Sequence, residues 1–187
     1  MKAKEQNVPV LRFPGFSGEW RKEKLGKISL QITSGSRGWA QFYTPTGDKF
    51  IRMTNLQRDG NIRLILDDLK YVTLPENSTE GARTSLQTGD ILISITAELG
   101  KIGLITENLG KAYINQHTAL VRPQADATEP AFLAYSLAQP SSNKRFNRLN
   151  DSGAKAGLNL RTIRAFLFSA PSLPEQKKMA CFIWPQK

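Results

Sequence analysis

The side chains in this sequence that could do chemistry are cations and amides gathered in a few short segments. Asn143-Lys144-Arg145-Phe146-Asn147-Arg148, with the stretch that continues to Lys155, mixes cations, amides, glycines and one aromatic. Cations bind phosphate, amides can read base edges, and glycines let backbone approach a polyanion closely. Arg37, in the polar loop Ser34-Gly35-Ser36-Arg37-Gly38, and Asn115-Gln116-His117 repeat the same residue types. Lys144, Arg145 and Arg148 suit phosphates better than bases, so losing them should weaken binding to all sequences alike. Ser152-Gly153-Ala154-Lys155-Ala156-Gly157 could hold phosphate through backbone N–H groups and Lys155. The same residues read equally as a solvated helix face followed by a flexible connector, because basic runs often only solubilise.

Other chemistries are poorly supported. His117 could act as a general base, but a small hydrolase built around it would lack partners: no Gly-x-Ser-x-Gly elbow is present. The glycine-rich stretches lack the Gly-Lys-Ser/Thr ending of a phosphate loop, and there is no Gly-x-Gly-x-x-Gly. Adenine methyltransferase motifs are also missing, so no catalytic residue, cofactor or metal is expected. Asp67-Asp68 reads as a solvated pair rather than a metal cluster. The single cysteine, Cys181, excludes an internal disulfide framework and is expected to pack in an apolar helix with Met179 and Phe182. Trp39 and Phe42, beside Arg37, could stack on bases or pack in the core.

These residues need a scaffold, and 187 residues suffice for one domain with a real core. Apolar residues at 40% argue against disorder. The runs Ile91–Ile95 and Ala165–Phe168 are far too short to cross a bilayer, and the polar start has no secretory core. A cytoplasmic protein without a membrane partner is the expectation. The formal charge is +10, which favours an acidic partner. It is unevenly placed: +4 over residues 1–27, −1 over 28–138, +5 over 139–168 and +2 over 169–187. The long middle is close to neutral.

Residues 7–18, rich in proline and glycine, should form an extended arm with Leu11, Phe13 and Phe16 packed on the body. Trp20 to Ser36 could hold a strand or short helix. Lys49–Met53, Tyr71–Leu74, Ile91–Ile95, Lys101–Ile105, Tyr113–Ile114, Thr118–Arg122 and Phe166–Phe168 read as short strands, and Arg58–Asn61 as a turn. Pro130 should open a helix through Leu137, Asn159–Arg164 a helical turn, and Pro174 a helix from Glu175 to Ile183. The predicted fold class is α+β, β-rich with few short helices.

Several phrases together resemble the DNA specificity subunits of type I restriction-modification systems. Val10-Leu11-Arg12-Phe13-Pro14-Gly15-Phe16 with Trp20 and Lys24-Leu25-Gly26 resembles their start. Phe50-Ile51-Arg52-Met53-Thr54-Asn55-Leu56, then Asp59-Gly60-Asn61-Ile62, follows in order. Gly89-Asp90-Ile91-Leu92-Ile93-Ser94 with Gly100-Lys101-Ile102-Gly103 is similar to the family's central strand pair. Asn115-Gln116-His117 and Ser172-Leu173-Pro174-Glu175-Gln176-Lys177-Lys178 complete the pattern over nearly the whole chain.

The resemblance implies a target recognition domain that reads one half of a bipartite double-stranded DNA site and catalyses nothing itself. In the family, two such domains alternate with two long helices that form an antiparallel spacer and dock modification (methyltransferase) subunits. Restriction subunits then join the complex. Carried onto this chain, the division is residues 1–173 for the recognition domain, with an arm over 1–19, and 174–187 for the start of a spacer helix. That helix is expected to stop near Ile183 at Trp184-Pro185, as in a truncated subunit or a fragment, which puts assembly with modification and restriction subunits in question. Self-association of two copies is a further partnership the reading allows. The expected DNA-binding set is Arg37, Arg52, Asn55, Lys101, Asn115, Gln116, His117, Lys144, Arg145, Arg148 and Lys155. The alternative is a basic RNA-binding or protein-interaction module without sequence-specific DNA recognition.

Overall fold

The computed structural model describes residues 8–107, 109–150 and 157–183. The strands are β1 (Arg21–Lys24), β2 (Ser29–Ser34), β3 (Tyr43–Thr44), β4 (Asp48–Ile51), β5 (Lys70–Val72), β6 (Ile91–Ser94), β7 (Ile102–Leu104), β8 (Ala112–Ile114), β9 (Thr118–Pro123) and β10 (Leu167–Ala170). The helices are α1 (Pro130–Ala138), α2 (Pro140–Arg148), α3 (Leu160–Ala165) and α4 (Leu173–Ile183). The fold is α+β and β-rich, as the strand-dense sequence predicts.

The core is organised by β6, which is buried along its whole length. Successive side chains point to opposite faces, so Ile91 and Ile93 belong to one cluster and Leu92 to another. The first cluster packs Ile32, Ile102, Ala119 and Val121 against Leu133, Leu137, Phe146 and Ile163 of the helices. The second joins Leu92 and Leu120 to Ile51 and Ile114 of another sheet. The result is three layers: helices, an antiparallel sheet in the order β2-β9-β6-β7, and a sheet in the order β3-β5-β4-β8. A third unit pairs β1 with β10.

In the outer sheet, β4 and β8 run parallel, with Phe50 opposite Tyr113 and Ile51 opposite Ile114. The isoleucines face the central sheet, while Phe50 and Tyr113 face the other way and enclose Trp39 with Val72. The Trp39 ring lies 4.8 Å from Phe50 and 5.4 Å from Tyr113. Trp39 is therefore a core residue and offers no face to a ligand.

Prolines set two helix starts. Pro130 opens α1 and Pro140 opens α2 immediately behind it, each with its fixed φ in the first turn. The polar sequence of α2 hides its helical period, because only Ser142 and Phe146 are buried. Asn159 caps α3, its Oδ1 accepting from the Thr162 N–H at 2.8 Å.

Two packing expectations are corrected. Leu11 is 89% exposed and does not anchor the arm. Arg12 does so, donating to both carboxylate oxygens of buried Glu175 at 2.8 and 2.7 Å and to the carbonyls of Ser17 and Gly18. Phe13 adds an edge contact to Phe182, ring centroids 5.7 Å apart. Cys181 is exposed rather than buried, because α4 turns Glu175, Gln176 and Ala180 inward and residue 181 lies about 100° round from residue 180.

The Gly89-Asp90 pair has a structural purpose. Asp90 is buried, receives two hydrogen bonds from Arg122 at 2.8 and 2.7 Å, and accepts from the Gln87 N–H. Arg122 also reaches the Ser85 carbonyl, so one ion pair joins β9 to the turn before β6. The Asp90→Asn substitution removes the charge partner of Arg122 and should cost about 3 kcal/mol in urea unfolding. Asp68→Asn, at an exposed ion pair, should cost far less; equal losses would contradict the assignment.

Gly35 marks a second constraint. A Cβ there would lie 2.1 Å from the Ile114 carbonyl oxygen and 2.5 Å from the Asn115 carbonyl carbon. Gly35→Ala should therefore destabilise by about 2–3 kcal/mol. Gly60, at φ +81° with open space around it, should lose only about 1 kcal/mol as alanine. Similar small losses at both positions would refute the close approach at Gly35.

Candidate nucleic-acid interface

The strands deliver a set of loops to one end of the two sheets. Because Ile51 and Ile114 are register partners on parallel strands, Arg52 and Asn115 leave β4 and β8 side by side. The loop after β2 is drawn onto the same spot. The Gly35 N–H donates to the Asn115 carbonyl, and the Gln116 N–H to the Ser36 carbonyl, each at 3.2 Å. The loop after β6 joins from the central sheet, where the Ile95 N–H donates to the His117 carbonyl at 3.0 Å. Thr96 then forms a bridge with Gly157, which brings in the chain ahead of α3.

Side chains continue this pattern. The Gln116 side-chain nitrogen lies 2.9 Å from His117 Nε2, and His117 Nδ1 lies 2.8 Å from Thr96 Oγ1. An amide nitrogen can only donate, so His117 Nε2 accepts, and the ring hydrogen is assigned to Nδ1 and donated to Thr96 Oγ1. The Thr96 hydroxyl points onward to Met53 Sδ at 4.0 Å. Asn115 Oδ1 accepts from the His117 N–H at 3.1 Å, closing the turn. Arg37 stands exposed beside this group.

Helix α2 flanks the same end. Asn143 donates to the carbonyls of Leu99 and Gly100, both at 3.2 Å, which ties the helix to the β6–β7 loop. Lys144 and Arg148 are exposed and lie four residues apart, on one face of α2. Among the described residues no carboxylate pairs with Arg37, Lys144 or Arg148.

The structure brings together Arg37, Arg52, Lys101, Asn115, Gln116 and His117, with Lys144 and Arg148 alongside. Arg52 and Lys101 are each engaged by an acid. Arg52 pairs with Asp68 at 2.9 Å and Lys101 with Glu98 at 2.6 Å. The hydrogen bond from Arg52, reinforced by the charge of Lys70, holds the Asp68 carboxyl below its ordinary range. The hydrogen bond from Lys101 does the same for Glu98. These two cations therefore present less net charge than their residue type suggests.

Three candidates are reassigned. Asn55 is 2% exposed and both ends of its amide are engaged: Oδ1 accepts from the Arg52 N–H and Nδ2 donates to the Ile65 carbonyl. It shapes the loop and cannot reach a ligand. Arg145 donates to the Leu167 carbonyl and lies 4.3 Å over the Phe166 ring, which itself stacks on Phe146 at 4.1 Å. It seals the core instead of facing outward, as its stem and planar head favour. The Gly157 N–H donates to Asn150 Oδ1 and is not available to a phosphate. Lys155 and the rest of the 151–156 segment lie outside the described residues.

Two contributors escaped the sequence reading. Thr96 follows the strongest strand, in a turn where Ala97 at φ +53° and Gly100 at φ +73° are left-handed and only the glycine marks it in the sequence. Arg58 sits in the predicted turn and reaches the Leu99 carbonyl at 3.4 Å. Among the described residues no group of three or more His, Cys, Asp or Glu could hold a metal, and no helix is long and apolar enough to cross a membrane.

Known proteins share both the sequence pattern and the fold. The chain is 25% identical over 133 residues to the type I restriction enzyme EcoBI specificity subunit of Escherichia coli, a match covering 71% of this chain and 27% of that protein. A crystal structure of the HsdS subunit from Thermoanaerobacter tengcongensis superposes with a TM-score of 0.63 at 18% identity, over 91% of this chain and 38% of that one. A type I restriction-modification S subunit from M. genitalium gives a TM-score of 0.62 at 12% identity, over 95% and 40% of the two chains. A chain from the type I R-M system, in a structure addressing its complex assembly and conformational transition, gives 0.65 at 19% identity, over 93% and 40%. The chain thus spans well under half the length of each of these relatives. Residues 19–184 match the type I restriction modification DNA specificity domain, and the chain belongs to that family.

Proposed function

We propose that this domain reads a short base sequence in double-stranded DNA, one half of a bipartite site, as the recognition part of a specificity subunit. It catalyses nothing; methylation and restriction belong to partner subunits that it directs. It works in the cytoplasm, where it meets its DNA. Residues up to 173 form the reading unit, with the first 19 as its arm, and α4 begins the helix that leaves it. Burial of Glu175 and Gln176 supports a stiff junction between the two. Modification and restriction subunits, or a second copy of this chain, are the partners this role would need.

The observation that carries the reading is the convergence of Arg37, Asn115, Gln116 and His117 on hydrogen-bonded loops at one sheet end, flanked by the exposed cations of α2. Amides held on a rigid frame read base edges, and cations beside them hold the phosphate backbone. RNA-type recognition would lean on exposed aromatics for stacking; Trp39 and Tyr113, near the converging loops, are enclosed in the core, and the exposed Phe182 belongs to α4.

The electrostatic half of this reading is tested by the salt dependence of duplex affinity. Each phosphate contact adds about 0.9 to the slope of log affinity against log salt concentration. The double variant Lys144→Ala/Arg148→Ala should lower the slope by roughly 2, equally for all sequences. Arg145→Ala should lower thermal stability and leave the slope unchanged. The opposite pattern, with Arg145 governing the slope and the exposed pair silent, would place the DNA elsewhere.

A further inference from the structure

We infer that Gln116 reads an adenine in the major groove, and that His117 and Thr96 are positioning residues that fix the orientation of its carboxamide. The inference rests on the DNA-reading function proposed above and deepens it. A free glutamine amide can turn over, which exchanges donor and acceptor and blurs the pattern it offers. Met53 Sδ can only accept, so Thr96 Oγ1, which donates to it, accepts from His117 Nδ1 at 2.8 Å, and Nε2 is left to accept from the Gln116 amide nitrogen at 2.9 Å. The relay is directional. Thr96 turns its own hydrogen toward Met53 Sδ and keeps an oxygen lone pair for the imidazole.

The backbone is held as firmly as the side chain. The Gln116 N–H donates to the Ser36 carbonyl, and the turn is closed by Asn115 Oδ1 on the His117 N–H. With one amide hydrogen engaged by His117, Gln116 retains one hydrogen and Oε1, which has no partner in the fold among the described residues. A donor beside an acceptor is the complement of adenine, whose N6 amine donates and whose N7 accepts. Guanine offers two acceptors on that edge and could satisfy only half of it. Gln116 is half-buried, and its N–H bond to the Ser36 carbonyl sets it beside the loop that carries the exposed Arg37.

The test pairs protein variants with base analogues in a duplex carrying the motif enriched by the unaltered chain. Replacing the contacted adenine with 7-deazaadenine removes N7 alone and should weaken binding by the unaltered chain about tenfold. Gln116→Ala should bind the two duplexes equally. His117→Ala and Thr96→Val should shrink the penalty most of the way to unity, while Thr96→Ser restores it. A purely structural His117 would lower affinity for both duplexes in proportion and keep the tenfold ratio, which would overturn the positioning role. A full 7-deazaadenine penalty in Gln116→Ala would overturn the adenine assignment, as would the absence of a penalty at every adenine of the motif for the unaltered chain. If the unaltered chain enriches no motif at all, the DNA-reading function itself falls, a different failure from either of these.

Discussion

The parallel register of β4 against β8 is the constraint on which the rest depends. Ile51 beside Ile114 fills the space against Leu92, and Phe50 beside Tyr113 encloses Trp39. A one-residue slip of β4 would swap its own two faces, putting Phe50 into the sheet interface and Ile51 beside Trp39. With the register fixed, Arg52 and Asn115 emerge together, and the close approach of Gly35 to Ile114 pulls the β2 loop onto them. The loops of the candidate interface are thus positioned by core packing.

Electrostatics divide along the same line. The core-building stretch is close to neutral, and its cations at the loop end are partly offset by Asp68 and Glu98. Among the described residues, cations without a carboxylate partner include Arg37 and, on the outer face of α2, Lys144 and Arg148. Under the proposed function, this arrangement separates general attraction to a polyanion from selective contact. In that proposed role, a weakly charged reading surface would penalise a wrong base through unmet hydrogen bonds, while cations at its margin would supply affinity that ignores sequence.

Much of this was legible from residue order. The run Ile91–Ser94 announced the central strand, its partners followed in the expected places, and Pro130 and Pro174 marked two helices within a residue. The amides at Asn115–Gln116 also lie where the loops converge at one end of the sheets. What could not be read was direction. Arg145, Arg148 and Lys144 look equivalent in a basic run, yet the α2 turn sends Arg145 onto Phe166 and the other two into solvent. Asn55 looked like a reader and proved to be an internal brace, because buried backbone needed its amide. Leu11 looked like an anchor, but the buried carboxylate of Glu175 selects Arg12 in its place. Long-range polar partners such as Thr96 with His117, 21 residues apart, leave no local trace.

The central claim is that this domain by itself selects a base sequence. The most direct measurement is selection of the purified chain from a randomised duplex library at two salt concentrations, followed by sequencing. Enrichment of one short motif that persists at the higher salt is the predicted result. Binding without enrichment that collapses as salt rises would show only attraction to phosphate and would contradict the account.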